Sequence, residues 1–418
     1  MELKIKYQYT YFIKPFFIDK DKYEKYIFSL LNNPNCMLKI FEKERDLNLY
    51  SYFIENVRNY FFPTFTLDNR KIRELQESQN QEKANILSKF HCNIFEYKLK
   101  EKPQGKINDC DGIFFNIDKI EIICLDSGIC FLILKTNIEN SIQFSDLLNF
   151  NYKFKDINSS YTMLKEYNDI KIQTDAFGNM TELSTFIDNI IGVNTENEDL
   201  KSIDLYNKRF FVYTYSCIDQ ENWSNEEDFK NIENDFIKYT NVLSNNNTLN
   251  FNTEDFKKNY ESVKEFKYAK FGFTKQSASL ITSSIDINNY TKILFDYENE
   301  YLYTLIISLY QRVYLKRLEN DLKSESNLNN ASKAFYKFTK ELWYSEITNS
   351  VTGTMYYNKW KEIFELKDIY NQIKNKYEIM YKELNIENDT KTNKTLAIAL
   401  VISLLLNIIN FIIVQKLM

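Results

Sequence analysis

The chain has 418 residues, 44% of them hydrophobic, and a mean hydropathy of -0.46, which describes a polypeptide that folds mostly in water. Its 53 basic and 58 acidic residues leave a net charge of -5, which excludes a global electrostatic case for nucleic acid, and no Lys/Arg run is dense enough for a local one. One histidine, His91, leaves no room for a multi-His metal site or a histidine relay and argues against a Ser/His/Asp triad. The seven glycines are too scattered for G-x-G-x-x-G or a P-loop.

The N-terminal part alternates short strand-like runs with helical ones. Lys4 to Phe12, Asn93 to Leu99, Lys119 to Leu125 and Cys130 to Lys135 read as strands, and Asp126-Ser127-Gly128 turns the last two into a hairpin. Asp109-Cys110-Asp111-Gly112 looks superficially like a calcium loop. Ile107 stands at its first ligand position and Asp118 at its last, so a turn is expected. Ser145 to Tyr152 and Asn225 to Leu243 read as helices, with Arg209 to Cys217 as a strand between them. The fold class expected is α+β, with residues 1–285 as a mixed α/β cytoplasmic domain.

Six scattered cysteines form no C-x-x-C, and Met1 to Lys14 is charged and alternating, unlike a signal peptide; reduced cytoplasmic thiols are expected. Cys124 and Cys130 flank the hairpin turn, where ordinary strand packing is the expectation and a facing pair the alternative.

From Tyr290 onward the pattern is of long helices, with no proline after Pro103 and only Gly353 after Gly272. Residues 286–394 are expected to form a helical stalk. Leu366, Ile369, Ile373, Tyr377, Met380 and Leu384 lay an apolar seam along it, which is either intramolecular core or a contact between subunits.

Thr395 to Val414, TLAIALVISLLLNIINFIIV, carries no charge and is long enough as a helix to span about 30 Å of hydrocarbon. A transmembrane helix at 395–414 is expected, with a buried core helix as the alternative. Lys376, Lys382, Lys391 and Lys394 precede it and only Lys416 follows, so the large domain is expected to face the cytoplasm of a single-pass inner (plasma) membrane protein. Ala399, Ser403, Asn407 and Asn410 share one face of this helix. An amide in hydrocarbon needs a partner or water, so the stripe predicts self-association, through interhelical hydrogen bonds or around a hydrated pore; a monomeric tail anchor is the plainer alternative.

Three stretches, in order, resemble the divergent CorA-type divalent-cation channel superfamily. They are Asp126 to Asp156; Tyr301 to Leu318, with Tyr310, Gln311, Arg312 and Leu315; and Phe338 to Trp360, with Trp343, Ser345, Glu346, Thr348, Asn349, Gly353 and Trp360. The resemblance covers roughly the last 290 residues, and the last 120 with some specificity. It implies a cytoplasmic α/β domain, a stalk helix feeding a pore-lining membrane helix, a pentamer, and Mg²⁺ or another divalent cation as the ion handled. The family's Gly-Met-Asn motif and second span are not found before Met418, which puts selective magnesium uptake in doubt.

The leading functional expectation is a homo-oligomeric, CorA-like protein in the lipid bilayer with a cytoplasmically gated, poorly selective ion pathway, the neutral oxygens of Ser403, Asn407 and Asn410 lining it. A second is a membrane effector of a defence system such as type III CRISPR, activated by a nucleotide messenger; this rests on analogy. A third is a tail-anchored scaffold. An enzyme is the weakest reading, because no functional carboxylate pair stands out from solvated faces such as Glu226, Glu227 and Asp228.

Overall fold

The computed structural model describes residues 2–107, 112–157, 170–177, 180–192, 208–247, 261–263, 267–322, 328–380, 382 and 394–395. They fall into two compact units, Met1–Arg317 with Trp343–Glu365, and Leu318–Leu342 with the chain from Leu366 onward.

The first unit is built on a twelve-stranded sheet. Its strands are β1 (Ile5–Phe17), β2 (Cys36–Leu38), β3 (Cys92–Tyr97), β4 (Gln104–Ile107), β5 (Ile113–Leu125), β6 (Ile129–Ile138), β7 (Ile170–Gln173), β8 (Thr181–Glu182), β9 (Phe211–Ile218), β10 (Glu261–Val263), β11 (Ala269–Phe273) and β12 (Ser277–Ser283). The order is β10-β11-β12-β9-β1-β6-β5-β4-β7-β8, with β3 also pairing to β5 and β2 to β3. Every pairing is antiparallel except that of β12 with β9. The central strands are near-continuous apolar runs such as FVYTYSCI because both faces of the sheet are covered.

One face packs on the helices Tyr23–Asn32, Phe144–Phe154, Leu183–Ile191 and Glu233–Thr240, with Phe12 set against Phe150, Phe154 and Phe210. Four of its buried polar groups form a chain of hydrogen bonds. Thr10 donates to Asn151, Asn151 donates to Thr214, and Thr214 bonds the Tyr239 hydroxyl.

The other face packs on the helix Leu302–Asp321, and every residue from Leu302 to Leu315 is buried. A π turn at Tyr297–Tyr301 leads into this helix and is tied to β9. Tyr213 donates to the Tyr297 carbonyl (2.8 Å), Tyr297 donates to the Thr214 carbonyl (2.9 Å), and the two rings stack at 4.0 Å. The boundary expected at residue 285 therefore lies inside the first unit: a helix buried all round is core of the sheet domain, and the expected stalk does not begin as a separate body there.

The hairpin expected at Asp126-Ser127-Gly128 joins β5 to β6, with the Gly128 N–H donating to the Leu125 carbonyl (2.9 Å). Gly128 has φ +81°, and a Cβ there would meet the Ile18 carbonyl at 2.1 Å, so both conformation and space require glycine. Cys124 faces Cys130 across the hairpin, both buried and unbridged. Burial pushes the Cys124 and Cys92 thiols well up, as suits inert packing residues. The helix Phe144–Phe154 and strand β9 match their expected positions. The helix expected over Asn225 to Leu243 is broken into Asp228–Asn231 and Glu233–Thr240. Residues 108–111 of the expected calcium-loop look-alike lie outside the described residues.

In the second unit, helix Leu328–Glu341 meets a helix over 366–380: Phe335 packs on Tyr370 (5.2 Å) and Tyr377 (6.3 Å), and Ser332 donates to the Tyr377 hydroxyl (2.9 Å). Leu366, Ile369 and Ile373 of the apolar seam are buried, which makes that stretch intramolecular core; Leu384 lies outside the described residues. Among the described residues no helix is long and apolar enough to cross a membrane, and residues 396–414 of the expected span are outside them.

Gly353 opens a tight contact in the first unit: a Cβ there would lie 2.4 Å from the Tyr52 hydroxyl and 2.7 Å from Thr348 Cγ2. Gly353→Ala is expected to lower stability by about 1–3 kcal/mol in urea unfolding. In a Tyr52→Phe background the cost should shrink, and an equal cost in both backgrounds would contradict the contact.

Candidate functional site

The family-like segment from Trp343 to Trp360 divides by role. Ile54 N–H donates to the Ile347 carbonyl (3.0 Å) and Thr348 donates to the Tyr52 carbonyl, so an isolated bridge between Phe53 and Thr348 pins the segment to the Leu47–Tyr52 and Glu55–Phe61 helices. Ser350 caps the helix Val351–Ile363, accepting from the Gly353 N–H (3.2 Å). Trp360 is buried against Phe211 (5.8 Å) and Phe273 (4.9 Å). Trp343 is half-buried, and Ser345, Glu346 and Asn349 are exposed. Gly353 and Trp360 thus work in packing, and the structure gathers no binding site from the six motif residues. Ala399, Ser403, Asn407 and Asn410 lie outside the described residues.

Two polar centres sit on the sheet's helix-covered second face. Glu121 of β5 is almost fully buried and takes Lys39 at 2.9 Å and Lys119 at 3.0 Å, with Lys39 also donating to the Tyr303 hydroxyl (3.1 Å). Burial alone pushes the Glu121 carboxyl up, and the two ammonium groups outweigh it and hold the group at about 2. At the hairpin turn His91 Nδ1 lies 2.9 Å from Asp126 Oδ2, while Tyr60 stacks on the imidazole at 4.4 Å and donates to Asp126 (3.3 Å). Tyr310 bonds the Tyr60 hydroxyl and donates to Ser127 Oγ (3.1 Å), so the one histidine is held in a network that anchors the buried helix to the turn.

A cavity of about 490 Å³ lies at the N-terminal ends of β9 and β12. Five pieces of chain line it: Lys155 after the helix Phe144–Phe154, the entry to β9 with Arg209, the end of the helix Glu233–Thr240 with Val242, the β11–β12 turn with Lys275, and the end of the helix Val351–Ile363 with Glu362 and Glu365. Backbone bonds hold this end together, from Ile157 N–H to the Lys208 carbonyl (2.9 Å) and from Phe210 N–H to the Lys155 carbonyl (2.8 Å). Arg209 pairs with Asp156 (2.5 Å), Lys275 with Glu365 (2.6 Å), and Glu362 with Lys359 (3.1 Å). Lys155 donates to the Val242 carbonyl (2.9 Å) and lies 4.2 Å from the Tyr152 ring centre. Burial pulls its ammonium down to about 8, Asp156 opposing this and Arg209 adding to it. Helix C-termini favour cations, which accounts in part for the basic residues gathered here.

None of these cavity residues stood out in sequence. They come from five separated stretches, and what unites them is the end of the sheet, which no local spacing reports.

No protein-family model, curated protein or solved structure matches this chain. Among the described residues no group of three His, Cys, Asp or Glu side chains is placed to hold a metal ion.

Glu121 gives the site region a measurable acid response. A carboxyl held at about 2 against the ordinary 4.5 corresponds to about 3 kcal/mol of stability. Because the folded value is the lower one, that stability is fully present above about pH 4.5 and is lost as pH falls toward 2. Glu121→Gln, which leaves Lys39 and Lys119 facing an amide, is expected to cost about 3 kcal/mol at pH 7 in urea unfolding and to remove this part of the acid limb. An unchanged acid limb would contradict the ion-pair assignment.

Proposed function

We propose that the chain is a CorA-like, homo-oligomeric membrane protein, pentameric by the resemblance. Residues 395–414 of each subunit would line a poorly selective ion pathway, and the N-terminal unit would control it from the cytoplasm. The observation that carries this reading is the uncharged run Thr395 to Val414 with Ser403, Asn407 and Asn410 on one helical face. An amide facing hydrocarbon costs free energy that a neighbouring helix or pore water removes, so the stripe favours assembly around a hydrated axis.

The chemistry of such a lining sets its selectivity. Rings of neutral amide and hydroxyl oxygens replace part of an ion's hydration without adding negative charge, so small cations pass with little discrimination and divalent ions gain no special site. Control from the cytoplasm needs a ligand whose affinity differs between closed and open forms, since equal affinity shifts nothing. The α/β unit offers a cavity with ligand-sized volume for that role.

The test is ion flux from liposomes containing the full chain. Wild-type protein is expected to dissipate a cation gradient, and Asn407→Leu with Asn410→Leu to reduce the flux at least tenfold, by an order-of-magnitude expectation for loss of a hydrated lining. Unchanged flux in the double variant would remove the pore assignment, and no flux from the wild type would favour the tail-anchored scaffold.

A further inference from the structure

We propose that the cavity bordered by Lys155, Arg209 and Lys275 binds one small organic anion through a phosphate or carboxylate group, with Lys155 as the main counter-charge. As the regulator of the ion pathway, this ligand rests on the reading above; as a bound anion, it rests on the cavity alone.

The charge arrangement points to an anion. Arg209 is matched by Asp156, Lys275 by Glu365, and Glu362 by Lys359. What these pairs leave over is the ammonium of Lys155, half-buried and bonded to a carbonyl rather than a carboxylate. Withdrawing a cation from water without a counter-charge is unfavourable, and an anion in the cavity supplies one. Lys275 and Arg209, which line the same cavity, add charge-assisted donors, the side chains of their present partners Glu365 and Asp156 being 52% and 30% exposed.

Size and backbone agree. About 490 Å³ falls within the 300–1,000 Å³ typical of sites for small molecules. Among the described residues three non-glycine residues have positive φ, and two of them, Val242 (51°) and Glu365 (54°), line this cavity. A β-branched residue in the left-handed region is strained, and such strain gathers where a surrounding structure has a use for the conformation. At Val242 it turns the carbonyl that receives Lys155, which keeps the ammonium at the cavity wall.

The experiment is equilibrium dialysis and calorimetry of the detergent-solubilised full chain with three probes: inorganic phosphate, adenosine monophosphate and citrate. Saturable binding of at least one probe, one per chain, is expected. Lys155→Met and, separately, Lys275→Gln should each weaken it about tenfold, the usual effect of losing one charge-assisted contact. Lys275 is half-exposed, so its variant is expected to keep the wild-type melting temperature and to report on binding even where Lys155→Met disturbs the fold. Binding of the nucleotide but not of phosphate identifies a larger phosphate ester as the ligand class, and citrate alone identifies a polycarboxylate.

No binding of any probe by the wild type would overturn the proposal. So would binding that both variants leave unchanged, which would leave the three cations to their protein partners alone. Because the readout is binding, a chain that binds but carries no ions refutes the pathway and keeps the site, and one that carries ions without binding does the reverse.

Discussion

A helix that is buried on every side has to be enclosed by the rest of its domain, and Leu302 to Leu315 is such a helix. The sheet supplies one wall, through Tyr213 and Tyr297. The N-terminal helical segment supplies another, through Phe41 and Phe62 against Tyr303, and the Val351–Ile363 helix a third, through Tyr356 against Tyr301. Its polar side chains are satisfied inside this enclosure. Ser308 donates to the Thr304 carbonyl, Gln311 exchanges bonds with Tyr357, and Arg312 donates to the Lys275 carbonyl. The last of these ties the helix to the β11–β12 turn, and so to the cavity rim.

That link gives the domain a physical route between its cavity and its core. Lys275 contributes its carbonyl to Arg312 and its ammonium to Glu365, while the Arg312 guanidinium lies 4.8 Å from the Phe364 ring centre at the end of the Val351–Ile363 helix. A ligand that draws the Lys275 ammonium inward therefore acts on residues joined to the buried helix. Closely packed interiors pass such small displacements on rather than absorbing them.

Much of the sheet was legible in sequence where local chemistry decides it. Asp126-Ser127-Gly128 supplies a glycine where φ must be positive, and the runs on either side are apolar enough to be central strands. The burial of Leu302 to Leu315 does not follow from the absence of proline and glycine, which marks a long helix equally well inside a domain or outside it. The distinguishing signal was present: tyrosine, leucine and isoleucine occupy every face of LYTLIISLYQRVYL, leaving no solvated stripe. The motif residues Gly353 and Trp360 carried real information about packing, since one permits the approach of Tyr52 and the other fills the space beside Phe211. The cavity was illegible because Lys155, Arg209 and Lys275 acquire a shared meaning only once β9 and β12 lie side by side.

The sheet domain carries a cavity with three cations, and the sequence ends in the uncharged run Thr395 to Val414 that the proposed function places in a bilayer. The proposed pathway requires assembly, because a single helix crossing hydrocarbon would offer the amides of Asn407 and Asn410 no neighbouring helix and no hydrated axis. Native mass spectrometry of the detergent-solubilised full chain tests this most directly. A homo-oligomer that persists on dilution above the detergent's micellar concentration is expected, five chains being the number the resemblance implies; a monomer under the same conditions would contradict the proposed pathway.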